Sequence, residues 1–174
     1  MRPHLRRALG TSAVVAVTLA LSIPAAAQTS GAETLSGKIV ASGLSGTRVV
    51  LATVVVAHGV FNGAGRVVEI DNLPGDPDNV SRDDLVFPGG TMHLVTTTLD
   101  FAASVDPRSC RVSVRLDQTQ TIDGGSGRFA DATGSFSGVL TGSGLASRNP
   151  DGSCSEEAFV IEVAAFALSG TLSF

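Results

Sequence analysis

Past its opening segment, the chain is cut at short intervals by glycine, proline and asparagine, and no long stretch between the cuts shows a helical period. Such a pattern leaves one class of structure: strands joined by tight turns. Strand character is read over 34–40, 47–58, 66–71, 91–105, 110–122, 134–145 and 158–174. The clearest period of two lies in 110–122, where Val112, Val114 and Leu116 alternate with Ser113, Arg115 and Asp117. In 134–145, Phe136, Gly138, Leu140, Gly142 and Gly144 share one face, and Ser135, Ser137, Thr141 and Ser143 the other. Residues 47–58 are apolar on both parities and read as a buried strand.

Turns are expected at Ser42-Gly43-Leu44-Ser45-Gly46, 59–65, Pro88-Gly89-Gly90 and Asn149-Pro150-Asp151-Gly152. Residues 72–82 read as the longest loop, and 29–33 as an unstructured lead. Strands this close in sequence pair antiparallel. The expected fold is all-β, a closed antiparallel barrel of about eight strands, because closure removes sheet edges. A β-sandwich is the alternative.

Residues 1–27 read as a signal peptide. Arg2, Arg6 and Arg7 precede an apolar stretch from Ala8 to Ile23, Pro24 breaks it, and Ala25-Ala26-Ala27 offers a small-residue cleavage site. The mature chain is then 28–174, a single domain outside the cytoplasm, with no stable membrane span after cleavage. Without the three arginines, nine basic residues face sixteen acidic ones, a net charge of −7. That excludes a basic nucleic-acid footprint and disfavours anionic lipid. Cys110 and Cys154 are the two cysteines, and an oxidising compartment pairs them as one disulfide.

The sharpest motif is Gly124-Gly125-Ser126-Gly127-Arg128-Phe129-Ala130-Asp131-Ala132-Thr133-Gly134. Its glycines match a dinucleotide fingerprint in spacing, but a Gly/Ser/Phe strand follows where that site needs a helix N-terminus. The structural reading is a tight connection with glycines at positive φ and Phe129 in the core. The segment resembles the glycine motif of the allene oxide cyclase and dirigent family of eight-stranded barrels, with Ser126 where that family carries threonine. The resemblance extends to Ser169-Gly170-Thr171-Leu172 near the C-terminus. It implies a barrel with a central apolar cavity. It brings no activity, since no residue here matches the family's functional positions.

Candidate chemistry is sparse. If Val112, Val114 and Leu116 point inward, Gln118 and Gln120 share that face and are the candidate ligand-binding residues; the alternative is that they lie at the solvated end of the strand near the Gly124 turn. Glu162 lies on the parity of Ala164, Phe166 and Leu168, yet Phe159, Ile161 and Val163 make the opposite parity apolar too. The reading favours Glu162 facing water, because buried charges seldom lack partners. An inward Glu162 would instead be a candidate acid or base. His58 and His93 are the other catalytic candidates, and neither has a second ligand at metal spacing. Asp71, Asp76, Asp78, Asn79, Asp83 and Asp84 miss the EF-hand pattern and read as a solvated loop. No G-x-S-x-G elbow leads into a helix. The function expected is a secreted barrel that binds a small apolar ligand without catalysis, with neither metal nor cofactor. A cyclase- or dirigent-like activity and a filled structural barrel are the alternatives.

Overall fold

The computed structural model describes residues 28–44 and 47–174. The signal-peptide reading of 1–27, and Ser45 and Gly46 of the first expected turn, lie outside the described residues. Eight strands follow one another in chain order: β1 (Ser30–Gly43), β2 (Val49–Gly59), β3 (Gly63–Ile70), β4 (Val80–Phe87), β5 (Gly90–Asp106), β6 (Arg111–Gly127), β7 (Thr133–Arg148) and β8 (Cys154–Ser173). Each pairs antiparallel with its neighbours, and β1 pairs with β8, from Ser30 opposite Ser173 to Gly43 opposite Phe159. The sheet is therefore a closed barrel without free edges.

Several readings need correction. Residues 47–58 are not a buried strand: on β2 only Val55 and Ala57 are buried, and Val49, Val50, Leu51, Val54 and Val56 are exposed. Residues 30–33 are not a loose lead but the start of β1, held to the C-terminus by Thr29 N–H donating to the Phe174 carbonyl and Phe174 N–H to that of Thr29. The loop after β3 ends at Asn79, so Asp83 and Asp84 belong to a strand. Gly124 to Gly127 continue β6, and the turn proper is 128–132. An apolar stretch with few turn residues is easily read as strand; one dense in aspartate is not, although pairing with a neighbour suffices to make it one.

One end of the barrel is sealed. Phe61 follows β2, Phe87 ends β4, Phe129 sits in the β6–β7 turn and Phe174 is the last residue, so four distant points of the chain deliver rings to one place. Phe61 packs edge-on against Phe87 and Phe129 at 5.0 and 5.2 Å between centroids, and Phe129 against Phe174 at 5.3 Å. The Arg128 guanidinium covers the Phe61, Phe129 and Phe174 rings at 4.9, 5.3 and 5.2 Å. Aromatic pairs of this kind add about 0.5–1.5 kcal/mol each beyond area burial.

The other end is uneven. Strands β3 and β4 have 8 residues each, whereas β5 and β6 have 17. At about 3.3 Å per residue the long strands overhang the short ones by roughly 30 Å. Cys110, before β6, and Cys154, opening β8, join as the expected disulfide, with Cα atoms 5.3 Å apart. It staples the tips of the two overhanging hairpins.

Candidate functional site

Alternation on each strand decides what the barrel encloses. Leu35, Val55, Met92, Phe136 and Leu172 fill the lumen above the phenylalanine floor. Toward the open end the filling stops, leaving a cavity of about 360 Å³. Its walls are apolar: Ile39, Val67, Leu85, Leu94, Phe166 and Leu168. Polar side chains meet in it as well, namely Asp83, Thr96, Gln118 and Gln120, with Arg48 and Glu69 at the mouth.

Gln118 and Gln120 follow Leu116 on the inner face of β6, as the period of two predicts, and both are buried rather than solvated at a strand end. The Gln120 Oε1 is buried and has no hydrogen-bond partner among the described residues, whereas the buried Thr96 hydroxyl lies within reach of the Asp83 carboxylate and helps to hold it. Nearly all buried polar groups in folded proteins are paired with protein or water, so the unpaired Gln120 oxygen beside the cavity marks a place for a bound water or a ligand group.

Asp83 is the charged member of the set. It stands on β4, two residues from buried Leu85, and so shares the inward face. Burial raises its carboxyl, repulsion from Glu69 and, less, from Asp84 adds to this, Arg48 and a hydrogen bond with Thr96 oppose it, and the outcome is a value of about 6. The carboxyl thus changes charge close to neutral pH. Sequence reasoning missed Asp83 by counting it in the acidic loop. The available signal was its spacing of two from Leu85 and four from Phe87.

Glu162 faces the opposite way from the sequence reading. It lies on the inward parity of β8 with buried Ala164, Phe166 and Leu168. Its position at the mouth resolves the conflict over burial: the side chain is 32% exposed, and Arg48 Nε donates to its Oε2 at 3.2 Å. Arg48 also pairs with Glu69 on β3, so one guanidinium spans the mouth from β3 to β8. Arg82, on the cavity rim, donates from Nε and Nη2 to the two oxygens of Asp76 at 2.8 and 3.1 Å.

The histidines do not join this group. His58 is on the outer parity of β2 and contacts Asn62 Oδ1 through Nδ1 at 2.6 Å. His93 is on the outer parity of β5, with Nδ1 2.6 Å from Asp84 Oδ1. A second buried carboxylate, Glu33, lies at the sealed end with 1% exposure. Its Oε2 accepts from Phe61 N–H at 2.8 Å, and its Oε1 has no partner among the described residues. It escaped the sequence reading because residues 29–33 looked unstructured.

Pairing also defines the weakest seam of the wall. Only Val55, Val56 and Ala57 of β2 pair with β3. Above them the Thr53 hydroxyl donates to the Val67 carbonyl at 2.8 Å and accepts from the Val67 N–H at 3.0 Å, replacing the missing rung. No helix among the described residues is long and apolar enough to cross a membrane. No family model, curated protein or solved structure matches the chain.

Proposed function

We propose that this is a secreted binding protein that holds one small, mostly apolar molecule in the open half of its barrel, without transforming it. The observation that carries the reading is the cavity of about 360 Å³, walled by aliphatic and aromatic side chains and reached by a few buried polar groups. Ligand sites have this composition: apolar walls for affinity and sparse polar groups for orientation. The packed floor supports the same reading, since it makes the lumen a blind pocket rather than a channel. The resemblance of 124–134 to barrels with central cavities accords with it.

The test is mass spectrometry of small molecules that co-purify with the folded protein, with titration by an environment-sensitive apolar dye. One bound molecule per chain, displaced by the dye, is the expected result. A protein that carries nothing and does not bind the dye would refute the proposal and leave a structural barrel.

A cyclase- or dirigent-like reaction has one observation in its favour: Asp83, a lumen carboxyl with a value of about 6, suited to moving a proton. Among the described residues it stands without a histidine on the inner face, since His58 and His93 project from the outer one. Conversion of the co-purified molecule by the wild type but not by Asp83→Asn would establish this reading.

A further inference from the structure

Resting on the lumen-binding reading, the geometry points to a ligand of one charge class: we infer that the bound molecule carries an amine, positively charged, on its apolar body, and that Asp83 receives it.

The inner end of the cavity offers acceptors. The Thr96 hydroxyl and the Gln120 Oε1 are buried beside the space, the hydroxyl serves as a hydrogen-bond partner of Asp83, and Asp83 supplies the charge. An ammonium group has three donors and no acceptor, the complement of an ionised carboxylate, whereas the Thr96 hydroxyl can donate or accept. A glutamine amide can turn either end toward a ligand, so Gln120 adapts to donors and acceptors alike. The sign of the preference therefore comes from the charges.

Those charges are unbalanced. Asp83 from β4 and Glu69 from β3 line the cavity, and Glu162 from β8 reaches its mouth through its ion pair with Arg48. Against them stands Arg48, already engaged by Glu69 and Glu162. Arg82 is held bidentately by Asp76 and lies near Asp123, and Asp84 is occupied by His93 on the outside. Strand β6 contributes the uncharged Gln118 and Gln120, and β7 the aliphatic Leu140. A ligand carboxylate would enter a region that already repels its own carboxylates and would find both guanidiniums taken. An alcohol would donate one hydrogen bond but leave the Asp83 charge uncompensated. An ammonium donates and also compensates the charge, and a partly desolvated site makes the attraction stronger than in water.

The experiment is calorimetric titration of the disulfide-intact protein with two matched trios: octylamine, octanol and octanoate, and aminoadamantane, adamantanol and adamantane carboxylate. Two body shapes keep the head-group comparison independent of fit. At pH 7.5 the amine of at least one trio is expected to bind at one site per chain, ten-fold or more tighter than its alcohol, with the carboxylate weakest. Lowering the pH to 5.0 should weaken amine binding about ten-fold, because only a minor fraction of Asp83 stays ionised there, while the alcohol is unaffected. Asp83→Asn should remove the amine's advantage and retain alcohol binding. Alcohol or carboxylate binding as tight as the amine would overturn the charge inference and leave the lumen reading standing. Failure of all six probes would overturn both.

Discussion

Asp83 shows how much one side chain inside a barrel can change the behaviour of a fold. Its carboxyl is raised from 3.8 to about 6, so between those values the folded state holds a proton that the unfolded state has lost. Stability conferred by the neutral form is present at low pH and falls as pH rises through this window, the reverse of the usual paired carboxylate. A shift of this size corresponds to roughly 3 kcal/mol. Asp83→Asn is therefore expected to raise the melting temperature at pH 8 and leave it nearly unchanged at pH 4. Equal effects at the two pH values would show that burial does not penalise the charge. Glu33 has a different task, holding the Phe61 amide at the floor. Glu33→Ala strands that N–H and opens a small void, and is expected to cost at least about 2 kcal/mol in chemical denaturation. Glu33→Gln, which keeps an acceptor, should cost less; an alanine variant as stable as wild type would mean that the floor does not depend on this bond.

At the scale of elements, the β6–β7 connection separates two reasons for glycine. Gly127 has φ +60° and its missing Cβ would fall 2.3 Å from the Gly89 carbonyl oxygen, so both conformation and space require it. Gly124 has φ +84° but opens onto free space. Gly125, expected from sequence to share the positive φ, does not; it is needed because a Cβ would meet the Thr91 and Phe129 carbonyl oxygens at 2.3 and 2.4 Å. Gly134 is confined likewise, 2.2 Å from the Thr171 carbonyl oxygen. Gly124→Ala should cost only the strain of about 1–2 kcal/mol, and Gly127→Ala distinctly more, as read by thermal melts of the two variants. The β2–β3 seam gives a second test. Thr53→Val keeps the shape and removes both hydrogen bonds to Val67, for an expected loss of about 1–3 kcal/mol, and hydrogen exchange should accelerate at the Val67 amide before it does elsewhere in β3.

For the whole molecule, the barrel is sealed and solid at one end and open at the other, with the long strands β5 to β8 rising past the mouth. The disulfide closes a loop across the tips of this overhang, and reducing it frees the unfolded chain by an amount the loop-entropy model puts at about 4 kcal/mol. A Cys110→Ser, Cys154→Ser double variant is expected to unfold at lower denaturant while keeping the lumen, so dye binding should survive at low temperature. Loss of dye binding in the folded variant would mean that the overhang shapes the pocket.

The chain by itself determined the parts that repeat every second residue or turn at glycine and proline. The strands 110–122 and 134–145, the face that Gln118 and Gln120 share with Leu116, the cysteine pair and the all-β antiparallel barrel were legible for that reason, while which way that face points was not. Local sequence carries the pleat and the turns directly. Tertiary structure decided what depends on register summed over several strands. Glu162 is inward but saved from full burial by its height in the barrel, which no single strand encodes. On β5 the ladder shifts between Thr98 and Asp100, so that Phe101, Ala103 and Val105 come to oppose Leu116, Val114 and Val112, a parity change set by a bulge. Asp83 and Glu33 became interior groups only because neighbours far along the chain turned an apparent loop and an apparent lead into paired strands. Charge burial, closure and the choice of the open end are properties of the assembled wall, since each arises where residues distant in sequence meet.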